Sequence, residues 1–268
     1  MSDITVIVPY RQGSKPDESK FPAHTIFVND EGKGKKYALR KGIAAVDTEY
    51  VWLTDDDVTF VSQPNLKLKD YDLLILPLKM NEGNGSLFCR LQQTEYAALQ
   101  SLTLWAAEHG HAVMCSGANL IVRRQCWLDS YSDLHTNLPS GDDMFLLESM
   151  KLRRCRIGSA YEPALTICPC LSLKQLFRQR MRWAGKAPHY TDRDILLCGI
   201  IVILANLLAW LPPVFLAKYA IDLWLICRAE RFGFHLPHKA GYAFLLSLVY
   251  PPYMLICLLG GLLRQHRW

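Results

Sequence analysis

Two stretches of this chain carry no charged residue at all, Ile195 to Ala217 and Gly241 to Leu263, 23 residues each. At about 1.5 Å of helical rise per residue, either could cross a hydrocarbon core about 30 Å thick. The competing reading is a helical hairpin buried in a soluble protein, and the membrane reading is preferred. Val214 to Cys227 is a weaker third stretch, since Lys218 and Asp222 interrupt it. Prolines at 212–213 and 251–252 would kink or break helices, which a bilayer tolerates where neighbours satisfy the backbone. Cysteines at paired spacing are also lacking. The nine are an odd number, and Cys168-Pro169-Cys170 has neither the two-residue gap nor the second ligand pair of a zinc site. They read as reduced thiols, which argues against a disulfide framework. Met1 to Tyr10 has no basic leader and too short an apolar run for a secretory signal. The first 190 residues are therefore expected in the cytosol. No arginine–aromatic pattern points to nucleic acid, and no internal repeat or low-complexity tract is visible.

What is present falls into three parts: residues 1–170, an interfacial segment 171–193, and a membrane part 194–268 with two or three spans. Ile4-Thr5-Val6-Ile7-Val8, ended by Pro9, has the β-branched character of a buried parallel strand. Thr25 to Val28, Val51 to Thr54 and Leu73 to Leu76 read similarly. Lys35 to Ile43 is helical in character, and Gln92 to Glu108 places Leu99, Leu102 and Trp105 or Ala106 at helical spacing. Alternating strands and helices predict an α/β layer with a mostly parallel sheet, whose ligands bind beyond the carboxyl ends of the strands. Ser172 to Gly185 is expected as an amphipathic helix along the membrane surface, with Leu173, Leu176, Phe177 and Ala184 on its apolar side. A linker, Lys186 to Asp194, leads on. Of the net charge of +5, the excess lies in Lys151 to Lys186. Cations there suit anionic lipid head groups or an anionic substrate.

Residues able to do chemistry recur along this frame. Asp55-Asp56-Asp57 follows an apolar strand, and hard carboxylate oxygens suit Mg²⁺ or Mn²⁺ shared with a phosphate-bearing substrate. Alternate residues of an extended backbone point the same way, so Asp55 and Asp57 can act together. The bland alternative is a solvated acidic turn. Gly141-Asp142-Asp143, after Pro139-Ser140, reads equally as helix capping or as the source of a general base, Asp143. Cys115-Ser116-Gly117-Ala118-Asn119 is a small-residue turn that permits close approach of a ligand. Gly32-Lys33-Gly34-Lys35-Lys36 before a helix could cradle a diphosphate but lacks Walker A spacing. In Gln179-Arg180-Met181-Arg182-Trp183, an amide, a guanidinium and an indole recur at helical spacing. A basic surface helix explains Arg180 and Arg182 equally well.

In order, these pieces resemble family 2 glycosyltransferases, inverting enzymes of the GT-A fold, and the apolar segments suit their membrane-bound branch. The matching residues run from Val6-Ile7-Val8-Pro9-Tyr10-Arg11 through Gly34–Leu39, Asp55–Asp57, Gly117–Asn119 and Gly141–Asp143 to the QxxRW pentad at 179–183. The resemblance implies that Asp55 and Asp57 form a DxD element binding a nucleotide-sugar diphosphate through a divalent metal, with Asp56 beside them. It implies Asp143 as the base that deprotonates the acceptor and Arg182 as a second catalytic residue that neutralises the leaving diphosphate. Pro9, Tyr10, Arg11, Lys35, Gln179 and Trp183 would meet the donor. Gly117, Ala118, Asn119, Asp142 and again Trp183 would face the acceptor, a lipid or saccharide. The family usually has a longer stretch after the first strand, with a base-contacting aspartate. Here only Gln12 to Glu31 fill the gap, and Asp30 is the candidate. The expectation is a multi-pass membrane protein with a cytoplasmic catalytic domain. Alternatives are an impaired paralogue serving as a scaffold, a subunit of a processive polysaccharide synthase, or a nucleotidyltransferase.

Overall fold

The computed structural model describes residues 4–14, 16–60, 68–138 and 140–263, so Pro139 and the basic end 264–268 lie outside the described residues. The chain forms two compact units interleaved in sequence, Met1–Leu78 with Thr103–Ile167, and Lys79–Leu102 with Cys168–Trp268.

In the first unit, β1 (Ile4–Tyr10), β2 (Thr25–Asn29), α1 (Lys35–Ala44), β3 (Tyr50–Leu53) and β4 (Leu73–Ile75) follow the expected alternation. The chain leaves through β5 (Leu78–Met80) and enters α2 (Leu87–Glu108), whose residues from Thr103 onward belong to this unit. Then come β6 (Leu120–Arg123), α3 (Arg124–Ser130), α4 (Asp142–Leu152), β7 (Ile157–Ser159) and β8 (Leu165–Ile167). Six strands form a sheet in the order β2-β1-β3-β6-β4-β7. β1 is parallel to β2 and β3, and β4 to β7, while β6 runs antiparallel to β3 and β4. Val6, Ile7, Val8, Trp52 and Leu120 to Val122 are buried, which is why their runs read as continuously apolar. Each large side chain so buried contributes about 1.5–3 kcal/mol. β1 runs on through Pro9 to Tyr10, whose carbonyl accepts from the Asp30 N–H at 2.9 Å. In the short gap after it, the helix is reduced to one 3-10 turn, Glu18–Lys20, capped by Asp17, while β2 is retained.

The second unit holds residues Leu87 to Leu102 of α2, then α5 (Leu173–Ala184), α6 (Arg193–Leu207), α7 (Pro212–Arg228) and α8 (Lys239–Leu263). The expected span Ile195 to Ala217 is instead divided between two helices. Asp192 opens α6, accepting from the N–H groups of Asp194 and Ile195. Pro212 and Pro213, which lack an N–H, occupy the first turn of α7 and prevent continuation. With 15 and 17 residues, α6 and α7 reach only about 22 and 25 Å. Lys218 and Asp222 do not interrupt α7, because they pair with each other one turn apart. α8 passes through Pro251 and Pro252 unbroken and, among the described residues, is the one helix long and apolar enough to cross a membrane. One such helix therefore stands where two or three were expected.

α5 packs along α8. Phe177 meets Tyr253 edge-on at 5.4 Å, and a Cβ on Gly261 would stand 2.7 Å from the Met181 carbonyl oxygen, so only glycine admits this approach. Leu176 turns inward as expected, whereas Leu173, in the first turn of α5, is exposed. Arg180, two turns further along, is buried. Leu197, Ile200 and Leu204 of α6, Leu216 and Ile221 of α7, and Leu248 and Leu259 of α8 are all exposed.

Candidate active site

The antiparallel β6 has a consequence for the site. Because Leu120 pairs with Leu53 and with Ile75, the loop before β6 comes to the same edge as the carboxyl ends of β3 and β4. Gly117–Asn119 thereby joins Tyr10 at the end of β1, Asn29 at the end of β2 and Asp55–Asp57 beyond β3 along one edge of the sheet. That edge is where α/β sheets bind ligands.

Lys35 is the centre of the cluster. It opens α1 behind Gly34, at the end of a helix where the dipole disfavours a cation. Carboxylates from two other segments offset this, with Lys35 Nζ 2.7 Å from Asp55 Oδ1 and 3.0 Å from Asp142 Oδ2. Burial would lower the pKa of Lys35, but Asp142 and Asp55 outweigh it and hold the ammonium well above its usual range. Asp142 and Asp143 form the first turn of α4, capped by Gly141. Asp143 Oδ1 accepts from the Met144 N–H at 2.8 Å, and Oδ2 lies 3.4 Å from the Gly117 N–H. A Cβ on Gly117 would stand 2.9 Å from Asp142 Oδ2 and 3.1 Å from Lys35 Nζ, so the loop is pressed onto this ion pair.

Five carboxylates, those of Asp55, Asp56, Asp57, Asp142 and Asp143, thus gather around one ammonium. Asp56 is pushed above the usual carboxylate range by burial and then by Asp55. Asp57 is pushed up by burial of its carboxyl and then by Asp55 and Asp56. Asp57 as a whole stays exposed to solvent, so the repulsion is the sturdier cause. Among the described residues no group of three or more His, Cys, Asp or Glu could hold a metal ion unaided. The donor set still fits Mg²⁺ or Mn²⁺, which bind through one or two carboxylates completed by substrate phosphates and water.

The other expected residues separate by burial. Pro9 is buried, Tyr10 half-buried and Arg11 exposed. Ala118 is buried. Asn119 is fully buried and holds the loop from within, accepting from Trp52 Nε1 at 2.9 Å and donating to the carbonyls of Pro77 and Pro163 at 2.7 and 3.0 Å. Lys36 serves the fold, donating to the carbonyls of His135 and Leu138. Asp30, the candidate base contact, has Oδ1 engaged by the N–H groups of Gln12 and Gly32 at 2.8 and 3.0 Å.

The pentad lies on α5 in the second unit. Arg182 is exposed there, with Gln179 and Trp183 half-buried. Arg180 is buried and bonds Glu95 of α2 through two nitrogens, at 3.2 and 2.9 Å. Burial would lower the pKa of Arg180, but Glu95 outweighs it and raises it. The sequence reading named neither Glu95 nor the role of Arg180. The available signal was Gln92-Gln93-Thr94-Glu95, four consecutive polar residues in one helix, all of them buried.

No curated protein matches the chain. Among solved structures, the chain is similar to a mannosyltransferase from Pyrobaculum calidifontis in complex with GDP-Man and Mn²⁺, at 14% identity and TM-score 0.56, covering 98% of this chain and 86% of that one. A glucosyl-3-phosphoglycerate synthase from Mycobacterium tuberculosis in complex with phosphoglyceric acid also matches, at 15% identity and TM-score 0.41, covering 71% of this chain and 81% of that one. The first of these likenesses agrees with a GT-A-like fold, a mixed and mostly parallel sheet flanked by helices. The family model for glycosyltransferase-like family 2 matches residues 17–186, from before β2 to beyond the pentad, and the chain belongs to that family.

Proposed function

We propose that this chain is an inverting glycosyltransferase that moves one sugar from a nucleotide-sugar donor to an acceptor, a membrane lipid, with its catalytic unit on the cytosolic side. The observation that carries the reading is the Lys35 junction, where the segments holding Asp55, Asp142 and Gly117 converge on one edge of the sheet. Asp55 and Asp57 would hold Mg²⁺ or Mn²⁺, which when bound supplies positive charge to the leaving diphosphate. Lys35 adds a fixed cation beside them. The open N-terminus of α1, with no side-chain cap, suits a phosphate oxygen. Tyr10 and Arg11, beyond the buried Pro9 at the end of β1, would meet the nucleoside. Asp143 takes the acceptor proton, and the Gly117 N–H near its carboxylate keeps that group oriented. The acceptor oxygen attacks the anomeric carbon as the bond to the diphosphate breaks on the opposite face, which inverts that centre. Arg182 and Trp183 of the pentad remain, in this reading, the residues of the second unit expected to meet donor and acceptor. The exposed apolar side chains of α6, α7 and α8 support contact with lipid, α8 being the candidate span.

A second reading is an impaired paralogue that serves as a membrane scaffold. The engaged Asp30 favours it, because that carboxylate braces its own turn in the shortened segment. One experiment separates the two. Purified protein in detergent is given a panel of nucleotide sugars with Mn²⁺ or Mg²⁺, beside Asp57→Ala. Turnover of one donor, lost with chelator and in the variant, is the expected result. Neither turnover nor metal-dependent nucleotide binding by calorimetry would leave the scaffold.

A further inference from the structure

We propose that Lys36 is a positioning residue for the acceptor base, fixing the first turn of α4 so that Asp143 keeps its aim. The inference rests on the reading of Asp143 as that base and adds a residue to which the reading gives no part. Lys36 is only 6% exposed. A lysine is almost never so buried unless its ammonium is engaged, and plain packing would be served by an apolar side chain at less cost. Nζ donates to the His135 carbonyl at 2.8 Å and to the Leu138 carbonyl at 2.9 Å. These are the two ends of one turn, closed by the Leu138 N–H on the His135 carbonyl at 2.9 Å. The same ammonium lies 5.3 Å from the centre of the Phe145 ring. Phe145 is 1% exposed and closes the first turn of α4, its N–H donating to the Gly141 carbonyl at 3.0 Å. The His135 ring packs on Phe145 as well, with centroids 4.4 Å apart. Lys36 therefore ties the turn that precedes α4 to the first turn of α4 itself.

The neighbouring lysine shows why a second tie matters. From the same end of α1, Lys35 meets Asp142 at 3.0 Å. Successive helical residues point about 100° apart, so Lys35 and Lys36 reach the start of α4 from different bearings. One contact alone leaves a pivot, whereas two fix rotation. Asp143 lies in sequence between the two held residues, Asp142 and Phe145, and rotation is what it is sensitive to. Its Oδ2 is 3.4 Å from the Gly117 N–H, a bond at the weak end of the range that a small turn of α4 breaks. Displacing a catalytic group by about 1 Å costs about 100-fold in rate. His135 takes the left-handed backbone, at φ 46°, a strain uncommon outside glycine that this packing sustains.

The test uses full-length protein in detergent and the donor that wild type turns over. Lys36→Met keeps the stem and removes the N–H donors. The His135 carbonyl retains the Leu138 N–H, so the fold should persist by circular dichroism. Expected is a fall in kcat of about 100-fold, with donor KM and Mn²⁺-dependent binding of the nucleoside diphosphate unchanged. Lys36→Arg restores donors to both carbonyls and should recover most of the loss. His135→Gly relieves its own backbone, removes only the ring on Phe145, and should lose about 10-fold in kcat. A cycle with Asp143→Asn supplies a readout that loosened packing does not mimic. If Lys36 acts through the base, Lys36→Met costs nothing further once the base is gone. The full loss repeated in that background would overturn the proposal. So would wild-type kcat in Lys36→Met, or in His135→Gly should Lys36→Met fail to fold. Asp143→Asn at wild-type turnover would remove the base and this inference with it, and wild type silent on every donor would remove the transferase reading as well. An active enzyme that needs Asp143 and ignores Lys36 would remove this inference alone.

Discussion

The first unit and the second each place a cation against carboxylates, but in different surroundings. Lys35 is 28% exposed and its partner Asp55 34%, so water still reaches both. Arg180 and Glu95 have almost none, at 7% and 6%. A half-solvated pair is worth little to folding, because solvent screens the attraction and replaces either partner on separation. It can for the same reason be traded for a substrate phosphate or a metal ion. A buried pair costs desolvation to form, and breaking it leaves a charge stranded in an apolar interior. One arrangement suits chemistry and the other suits positioning, although both read as polar residues in a sequence.

The sharpest way to break this comparison is to remove one carboxylate from each. Glu95→Ala should lower stability by about 3–5 kcal/mol, the usual cost of stranding a buried charge. Asp55→Ala should change it by less than about 1 kcal/mol. Thermal midpoints in detergent check both. Equal shifts would mean that the two pairs are alike and the division between them is wrong.

Asp143→Asn comes next. The bond from the Met144 N–H survives, since an amide oxygen can still accept it, while the longer one from the Gly117 N–H is lost and the group cannot take a proton. Turnover should fall by about 10²- to 10⁴-fold with donor KM held. A variant within a few-fold of wild type would remove Asp143 as the base. Gly117→Ala should act more gently. The atoms its Cβ would meet first are the ends of Asp142 and Lys35, at 2.9 and 3.1 Å, which can yield by a few tenths of an ångström. About a 10-fold loss of turnover is expected, given that displacement by 1 Å costs about 100-fold. The fold should stay intact by circular dichroism. Loss of the fold instead would show that the loop supports the sheet more than the site.

Much of the first unit was legible because its signals are local. The short, β-branched apolar runs Val6–Val8 and Val51–Leu53 read as strands buried on both faces, although β1 runs on through Pro9 to Tyr10. The convergence of Asp55, Asp142 and Gly117 was not legible from spacing. It depends on β6 lying antiparallel between β3 and β4, a long-range pairing that no local pattern encodes. Asn119 stood in the right loop, but only the structure shows its three bonds into the interior. In the second unit the absence of charge was legible, and so was the capacity of Pro212 and Pro213 to break a helix, yet the expected span Ile195 to Ala217 ran across them. Hydropathy runs unbroken through Leu208–Leu211, while the two prolines that follow start a new helix. Glu95 and Arg180 are 85 residues apart, and neither announces the other.

The smallest effect expected lies at the far edge of the first unit, where a second half-solvated assembly tests the same principle without any part in the site. Asp72 Oδ1 accepts from Arg123 Nε at 3.0 Å, and Oδ2 accepts from the Arg156 N–H at 2.9 Å. Burial would raise the pKa of Asp72, but the bonds from Arg156 and then Arg123 outweigh it and hold it below the usual carboxylate value. A depressed folded pKa means that the unfolded chain binds the proton first. The stabilisation is therefore whole above the unfolded value, about pH 4, and is lost as pH falls through the lower folded value. Asp72→Asn should flatten the acid limb of a stability-against-pH curve and leave it unchanged at neutral pH apart from a constant offset of a fraction of a kcal/mol, since solvent reaches the pair. An acid limb identical to wild type would show that these bonds contribute nothing to folding. Half-solvated pairs in this chain would then be worth even less than the contrast with Arg180 and Glu95 assigns them.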